Sequence, residues 1–196
     1  MYRHSLLLVA IFIAAVAMSC SYEVEHPIRN ADNNFVTIQT NHGNLVVELY
    51  RDVAPAHADS FLARTNDGFY DSLLVFRMIP GFMLQTGDPQ NMGVGGPGYS
   101  LDAEFSEITH IKGTLSMARS QNINSAGSQF FVCFDTAQHL DNNYTVFGQM
   151  VNGYEVLTAI EKIPTGTSPE GRPDYPQEEV KIVKAYRSDP EGKAVN

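Results

Sequence analysis

The sequence predicts a mainly β fold: a closed, eight-stranded antiparallel barrel capped by two α-helices. Three observations lead there. About eight short runs rich in β-branched and aromatic residues recur along the chain, most of them joined by Gly- and Asn-rich turns. Only two stretches carry apolar residues at helical spacing. The runs do not alternate with helices, as a parallel sheet built from βαβ units requires.

Taken in order, residues 35–40 and 45–50 flank Asn41-His42-Gly43-Asn44, a hairpin signal. Pro55 opens the first helix, with Ala58, Phe61, Leu62 and Thr65 on one face and Gly68 beyond its end. Strands are then expected over 73–78, 82–86, 113–118, 129–134 and 145–150. Asn152-Gly153 leads into the second helix, whose apolar face is Val156, Leu157, Ile160 and Ile163 before Pro164 stops it. The last strand is expected over 180–186. The interior of an eight-stranded barrel is filled by its own side chains. Any site therefore belongs on the outer surface.

The chain has 196 residues, which suits one domain with a proper core. Its net charge of −9 and the lack of any basic run exclude tracking of a nucleic-acid backbone. Arg3 and His4 precede an apolar run over 6–18, shorter than the ~20 residues that span a bilayer. The run closes on Ser19-Cys20, so residues 1–19 read as a signal peptide. Ala17-Met18-Ser19-Cys20 resembles a bacterial lipoprotein signal, with Ala17 where Leu is usual. The alternatives are an ordinary signal or an uncleaved anchor. On the lipoprotein reading Cys20 is lipidated, residues 20–33 form a tether without apolar period, 34–190 form the domain and 191–196 a tail. The expected place is a bacterial cell envelope, with membrane contact through the lipid. Cys133 then has no disulfide partner and is expected as a small core hydrophobe.

Gly93-Val94-Gly95-Gly96-Pro97-Gly98 matches the dinucleotide pattern G-x-G-x-x-G in letters alone. That pattern works only between a strand and a helix. Here Pro97 and Tyr99-Ser100-Leu101 follow, so a surface loop is expected. The six histidines are scattered, and no metal or cofactor is expected. No serine sits in a nucleophile elbow, which argues against covalent catalysis. Arg77 stands out instead, among Phe76, Met78, Ile79, Phe82, Met83 and Leu84, with no acid nearby in sequence. By composition alone, a lone arginine of this kind is more often a snorkelling side chain than a catalyst. Gln129 and Phe131 share a strand face opposite Phe130, whereas the Pro80-Gly81 bend keeps parity from relating Arg77 to Gln85.

The stretch Phe76-Arg77-Met78-Ile79-Pro80-Gly81-Phe82-Met83-Leu84-Gln85-Thr86-Gly87-Asp88 resembles the cyclophilin motif F-x-R-x-x-P-G-F-x-x-Q-x-G-D, with Val75 in the first Phe position. Residues 115–120 and 124–133 resemble that family's second block, and 139–148 its third. The resemblance runs from about Asn34 to Arg187. It implies an eight-stranded barrel with two helices and peptidyl-prolyl cis/trans isomerase activity. It places Arg77 at the catalytic position and Phe82, Met83, Phe131 and Leu140 in the proline pocket. Gln85, Gly93, Ala118, Arg119, Ser120 and Gln129 take positions of the peptide groove, and Tyr144 joins them.

Three departures resemble those of many bacterial members: Arg119 where eukaryotic members often have Asn, His139 for Trp, and Tyr144 for His. The His139 position puts tight binding of cyclosporin in doubt. The implied partners are proline-containing peptides and unfolded exported proteins, acted on by a monomer. Gln85 is expected to hold the guanidinium, and the substrate to supply the partner that Arg77 lacks. The alternative is a proline-peptide-binding or chaperone-like envelope lipoprotein with little turnover.

Overall fold

The structure, a computed structural model, describes Arg29 and residues 34–195. The expected signal peptide, Cys20, the rest of the tether and Asn196 lie outside the described residues.

Among the described residues, ten strands and two α-helices form in the order β1 (Phe35–Thr40), β2 (Gly43–Leu49), α1 (Pro55–Asn66), β3 (Arg77–Ile79), β4 (Met83–Thr86), β5 (Thr114–Met117), β6 (Phe130–Cys133), β7 (Val146–Asn152), α2 (Tyr154–Glu161), β8 (Thr165–Gly166), β9 (Tyr175–Pro176) and β10 (Ile182–Ser188). Eight of the strands make one curled antiparallel sheet in the order β10-β1-β2-β7-β5-β6-β4-β3, and β8 pairs with β9 separately. The ladder is not continuous around the sheet, because β10 and β3 are its two edges. They are linked by the isolated bridge Leu74↔Lys181 and by backbone bonds such as Val75 N–H to the Val180 carbonyl at 2.8 Å. The closed barrel expected from sequence is therefore an open, curled sheet.

That link also explains why β3 is shorter than the expected strand over 73–78. Residues 73–75 bond to 180–182, and the chain turns to β4 only at Phe76, whose N–H donates to the Gln85 carbonyl at 3.2 Å, with the paired ladder beginning at Arg77. The turn between β3 and β4 has the Phe82 N–H donating to the Ile79 carbonyl at 3.0 Å. Pro80 and Gly81 are its central residues, and the Gly81 φ of 74° is what a type II turn demands there. Two strands escaped the sequence reading. β8 and β9 have two residues each, in a Pro- and Gly-rich excursion with no period.

α1 begins at Pro55 as expected and packs Phe61 against Tyr70, Phe130 and Phe147, with ring centroids 4.8, 5.2 and 5.3 Å away. Burying a phenylalanine fully stabilises by about 1.5–3 kcal/mol, so this contact fixes the helix on the sheet. α2 buries Leu157 and Ile160 and ends at Glu161, before Ile163. The inward face carries Val36, Ile38, Val47, Leu84, Leu115, Phe130 and Val132. A void of about 10 Å³ lies among Ile38, Leu84, Phe130 and Ile182, too small for a ligand. The interior is filled, so binding has to use the outer face.

Candidate active site

Strand alternation sorts the side chains of β6 onto two faces. Phe130 and Val132 join the main core, while Phe131 and Cys133 face outward into a second apolar cluster with Met83, Ala137 and Leu140. Phe82, Ala118 and Tyr144 pack against that cluster and are partly buried. Above it opens a cavity of about 340 Å³. Arg77, Phe82, Met83, Gln85, Phe131, Leu140 and Tyr144 line it, with Ala118 and Arg119 at one side. A neighbouring cavity of about 410 Å³ shares Gln85, Ala118 and Arg119 and adds Gly93, Ser120 and Gln129. Every residue of the chain to which the resemblance gives a peptide-binding role thus lines one continuous groove.

Arg77 differs from its expectation in two ways. Its neighbours Phe76 and Met78 are buried, but its own side chain is 43% exposed, because alternation turns it to the outer face. No buried guanidinium has to be compensated. It also has an acidic partner: Asp174 Oδ2 lies 3.5 Å from Arg77 Nε. Arg77 and Gln85 are direct cross-strand partners, so the bend at Pro80-Gly81 does relate them. Gln85 nevertheless does not bind the guanidinium. Its Nε2 donates to Gln129 Oε1 at 3.0 Å, and Gln129 Nε2 donates to the Gly95 carbonyl at 2.8 Å.

The Gly-rich loop forms the far wall. Its amides converge on an internal anion in place of a phosphate. The buried Asp88 carboxylate accepts from the N–H groups of Gln90, Met92, Gly93 and Val94. Burial alone would raise the Asp88 pKa, but the backbone N–H groups outweigh it and hold the carboxyl below its ordinary value. Gly95 has to be glycine, since a Cβ there would come within 2.0 Å of Asp88 Oδ1.

The floor and near wall are ring-packed. Phe131 stacks on the buried His110 ring at 6.0 Å and 15°, and meets Tyr144 edge-on at 5.9 Å. His110 is held by Asp141 at Nδ1 (2.8 Å) and Ser116 at Nε2 (2.9 Å). Burial pushes the imidazole pKa down, against the pull of Asp141. The Arg119 guanidinium lies 4.6 Å above the Tyr144 ring while its Nε and Nη2 donate to the Asn143 carbonyl. His139 lines the rim, 5.2 Å from the Phe82 ring. Cys133 is fully buried, and burial pushes its thiol up to about 12, so it packs as a hydrophobe and offers no thiolate.

The sequence reading missed Asp174, His110 and Asp141. Asp141 lies in the 139–148 block beside Leu140 but was given no role there, His110 carried no motif, and Asp174 lies on the excursion that showed no strand signal. Tertiary packing alone brings His110 and Asp174 to the groove.

The curled sheet therefore carries an apolar groove, edged by an arginine, on its outer face. Residues 35–187 match the model of the family described as cyclophilin type peptidyl-prolyl cis-trans isomerase/CLD. The chain is 37% identical over 190 residues to the probable peptidyl-prolyl cis-trans isomerase of Brucella suis biovar 1 (strain 1330), covering 90% of each protein. It is 43% identical over 129 residues to the peptidyl-prolyl cis-trans isomerase of Synechococcus elongatus, covering 66% of this chain and 88% of that one. A crystal structure of a Cryptosporidium parvum cyclophilin type isomerase, obtained in the presence of the dipeptide Ala-Pro, superposes with a TM-score of 0.71 at 33% identity, over 77% of this chain and 96% of that one. The chain belongs to the cyclophilin-type family and is a peptidyl-prolyl cis-trans isomerase.

Proposed function

We propose that the protein accelerates rotation about X-Pro bonds in exported client proteins, and that Arg77 supplies the transition-state contact. Twisting an X-Pro bond breaks amide resonance, at a cost of about 18–20 kcal/mol, which makes the uncatalysed step last tens of seconds. In the twisted state the proline nitrogen becomes pyramidal and regains a lone pair. A donor placed there meets an acceptor that the planar ground state lacks, which is differential binding of the transition state. Arginine suits the task because it stays charged and presents its donors in one rigid plane. The Phe82, Met83, Phe131 and Leu140 side chains grip the pyrrolidine ring. Gln129 and the backbone beside Arg119 hold the chain on the other side of the junction.

The observation that carries this reading is that Arg77 edges the same cavity whose floor is Phe131 and Leu140. The Ala-Pro dipeptide named for the Cryptosporidium parvum relative supports proline peptides as the ligand class. No proton is transferred, so the rate should be nearly flat between about pH 6 and 8. The test is Arg77→Ala, assayed by exchange spectroscopy on a short X-Pro peptide. Losing a charged donor aimed at a developing acceptor costs about 2.7–4 kcal/mol, roughly a hundred- to a thousandfold in rate. Peptide affinity should change far less. An Arg77→Ala protein with unchanged turnover overturns the mechanism.

We further infer an envelope location, with the domain at 34–190 anchored as a monomer through lipid on Cys20. The support is the apolar run over 6–18 that ends on Ser19-Cys20. Two or three acyl chains would make the attachment stable, where a single chain is marginal. Mass spectrometry of the mature N-terminus decides it, since an unmodified Cys20 or a retained Met1 excludes lipidation.

A further inference from the structure

Asp174 is brought beside Arg77 by β3 itself. The Met78 N–H, one residue beyond Arg77, donates to the Asp174 carbonyl at 2.6 Å. β3 is an edge strand, and this bond satisfies one of its outward amides. The Asp174 backbone is thereby pinned next to the arginine, so the carboxylate is not a freely wandering surface group.

The excursion that carries it is tied down at three further places. β8 and β9 pair at its base, with Thr165 opposite Pro176. The Gln177 N–H donates to the Pro164 carbonyl at 2.8 Å. Arg172 Nη1 donates to the Asn91 carbonyl at 2.8 Å, which joins the excursion to the start of the Gly-rich wall. Asp174 itself adopts a φ of 58°, a left-handed conformation that aspartate and asparagine take more readily than most residues.

The contact is one-sided. Asp174 Oδ2 approaches the Nε edge of the guanidinium at 3.5 Å, as an ion pair without a hydrogen bond, and no described residue hydrogen-bonds to Nη1 or Nη2. A guanidinium is planar, so a carboxylate that attracts one edge biases the direction of the other. Arg77 also lines the proline cavity. We propose that Asp174 is a positioning residue for the isomerisation, holding the Nε edge of Arg77 so that its Nη donors stay turned to the proline cavity. The inference rests on the reading of Arg77 given above.

Both side chains are about two-fifths exposed (43% and 39%), so the pair contributes little to folding stability. Its effect belongs to the rate. Arg77 meets its acceptor only in the twisted state, so loosening it lowers kcat and leaves KM nearly unchanged. An ion contact of this exposure corresponds to about a two- to fivefold change.

The experiment is a double-mutant cycle on the full chain with a short X-Pro peptide: Asp174→Asn, Arg77→Ala and both together. Asparagine keeps the backbone conformation and removes the charge. Asp174→Gly, which also tolerates positive φ, removes the side chain altogether and guards against a folding artefact in the first variant. Expected are a two- to fivefold lower kcat for either Asp174 variant, an unchanged KM and Tm, and no further loss when Asp174→Asn is added to Arg77→Ala. An equal loss in both backgrounds would mean that Asp174 acts on the structure generally, and overturns the proposal. So does full turnover in both Asp174 variants while Arg77→Ala is impaired. Full turnover in Arg77→Ala would instead overturn the reading of Arg77 itself.

Discussion

Gln85 and Gln129 are joined amide to amide across two strands, with Gln85 Nε2 donating to Gln129 Oε1 at 3.0 Å. The chain continues from Gln129 Nε2 to the Gly95 carbonyl at 2.8 Å. It spans the junction of the two cavities, and Gln85 is at the same time the cross-strand partner of Arg77. The strand that bears the arginine is therefore coupled to the Gly-rich wall without any contact to the guanidinium. The groove is built as one unit.

Gln129→Ala breaks both bonds of that chain. Each neutral hydrogen bond is worth about 0.5–1.5 kcal/mol net, so losing the pair should cost at most about 1–3 kcal/mol of peptide binding. That is roughly a five- to 150-fold rise in KM, with kcat within about twofold. Steady-state kinetics on a peptide with several residues before the proline measures both. A fall in kcat at unchanged KM would move Gln129 into the rate-determining contact and contradict the wall-tethering role.

The face parity of Gln129 and Phe131 was legible in the sequence because a strand alternates strictly. Phe130 lies in the main core and Phe131 in the outer cluster, as that parity requires. The pairing of Arg77 with Gln85 was not legible. It depends on how many residues the Pro80-Gly81 turn consumes, and a change of one would have turned the arginine inward. Asp174 was hidden for another reason. Its position is set by one backbone bond to Met78 and by a two-residue strand, and neither leaves a periodic trace. The open seam of the sheet escaped for a similar reason, since residues 73–75 change partner before β3 begins and the sequence there reads as one continuous apolar run.

His139→Trp should tighten ligands of the proline cavity. His139 lines the rim and lies 5.2 Å from the Phe82 ring, so a larger ring there extends the apolar wall. At about 25 cal/mol per Å², some 50 Å² of added contact is worth about 1 kcal/mol, roughly fivefold in affinity. Turnover should stay within about twofold, because His139 packs on the Phe82 ring and the donor proposed to act in the twisted state is Arg77. Titration calorimetry with cyclosporin and a peptide assay test the two halves. Equal affinity in the natural protein and the variant would show that this rim does not contact the ligand.

Asp88 should set the acid limit of the groove wall. Burial of its carboxyl raises the pKa, but the N–H groups of Gln90, Gly95, Met92 and Gly93 together more than reverse this, so the folded value lies below the unfolded one of about 3.9. A depressed carboxyl contributes stability that is fully present above the unfolded value and is lost as pH falls through the folded one. Protonation turns one oxygen from acceptor to donor and sets it against the loop amides. Asp88→Asn makes the same change at every pH. It should cost about 2–4 kcal/mol at pH 7, since several charge-assisted bonds weaken at once and buried donors lose their partner. The loop that carries Gly93 and Gly95 would loosen, and KM for peptides should rise with it. Urea denaturation of both proteins at pH 7, 5, 4 and 3 provides the measurement. The stability gap should hold from pH 7 to 5 and close progressively below about pH 4 as the natural carboxyl takes up its proton. A gap that stays constant down to pH 3 would mean that the charge on Asp88 does not hold the loop, and that the glycines and Gln129 fix the wall without it.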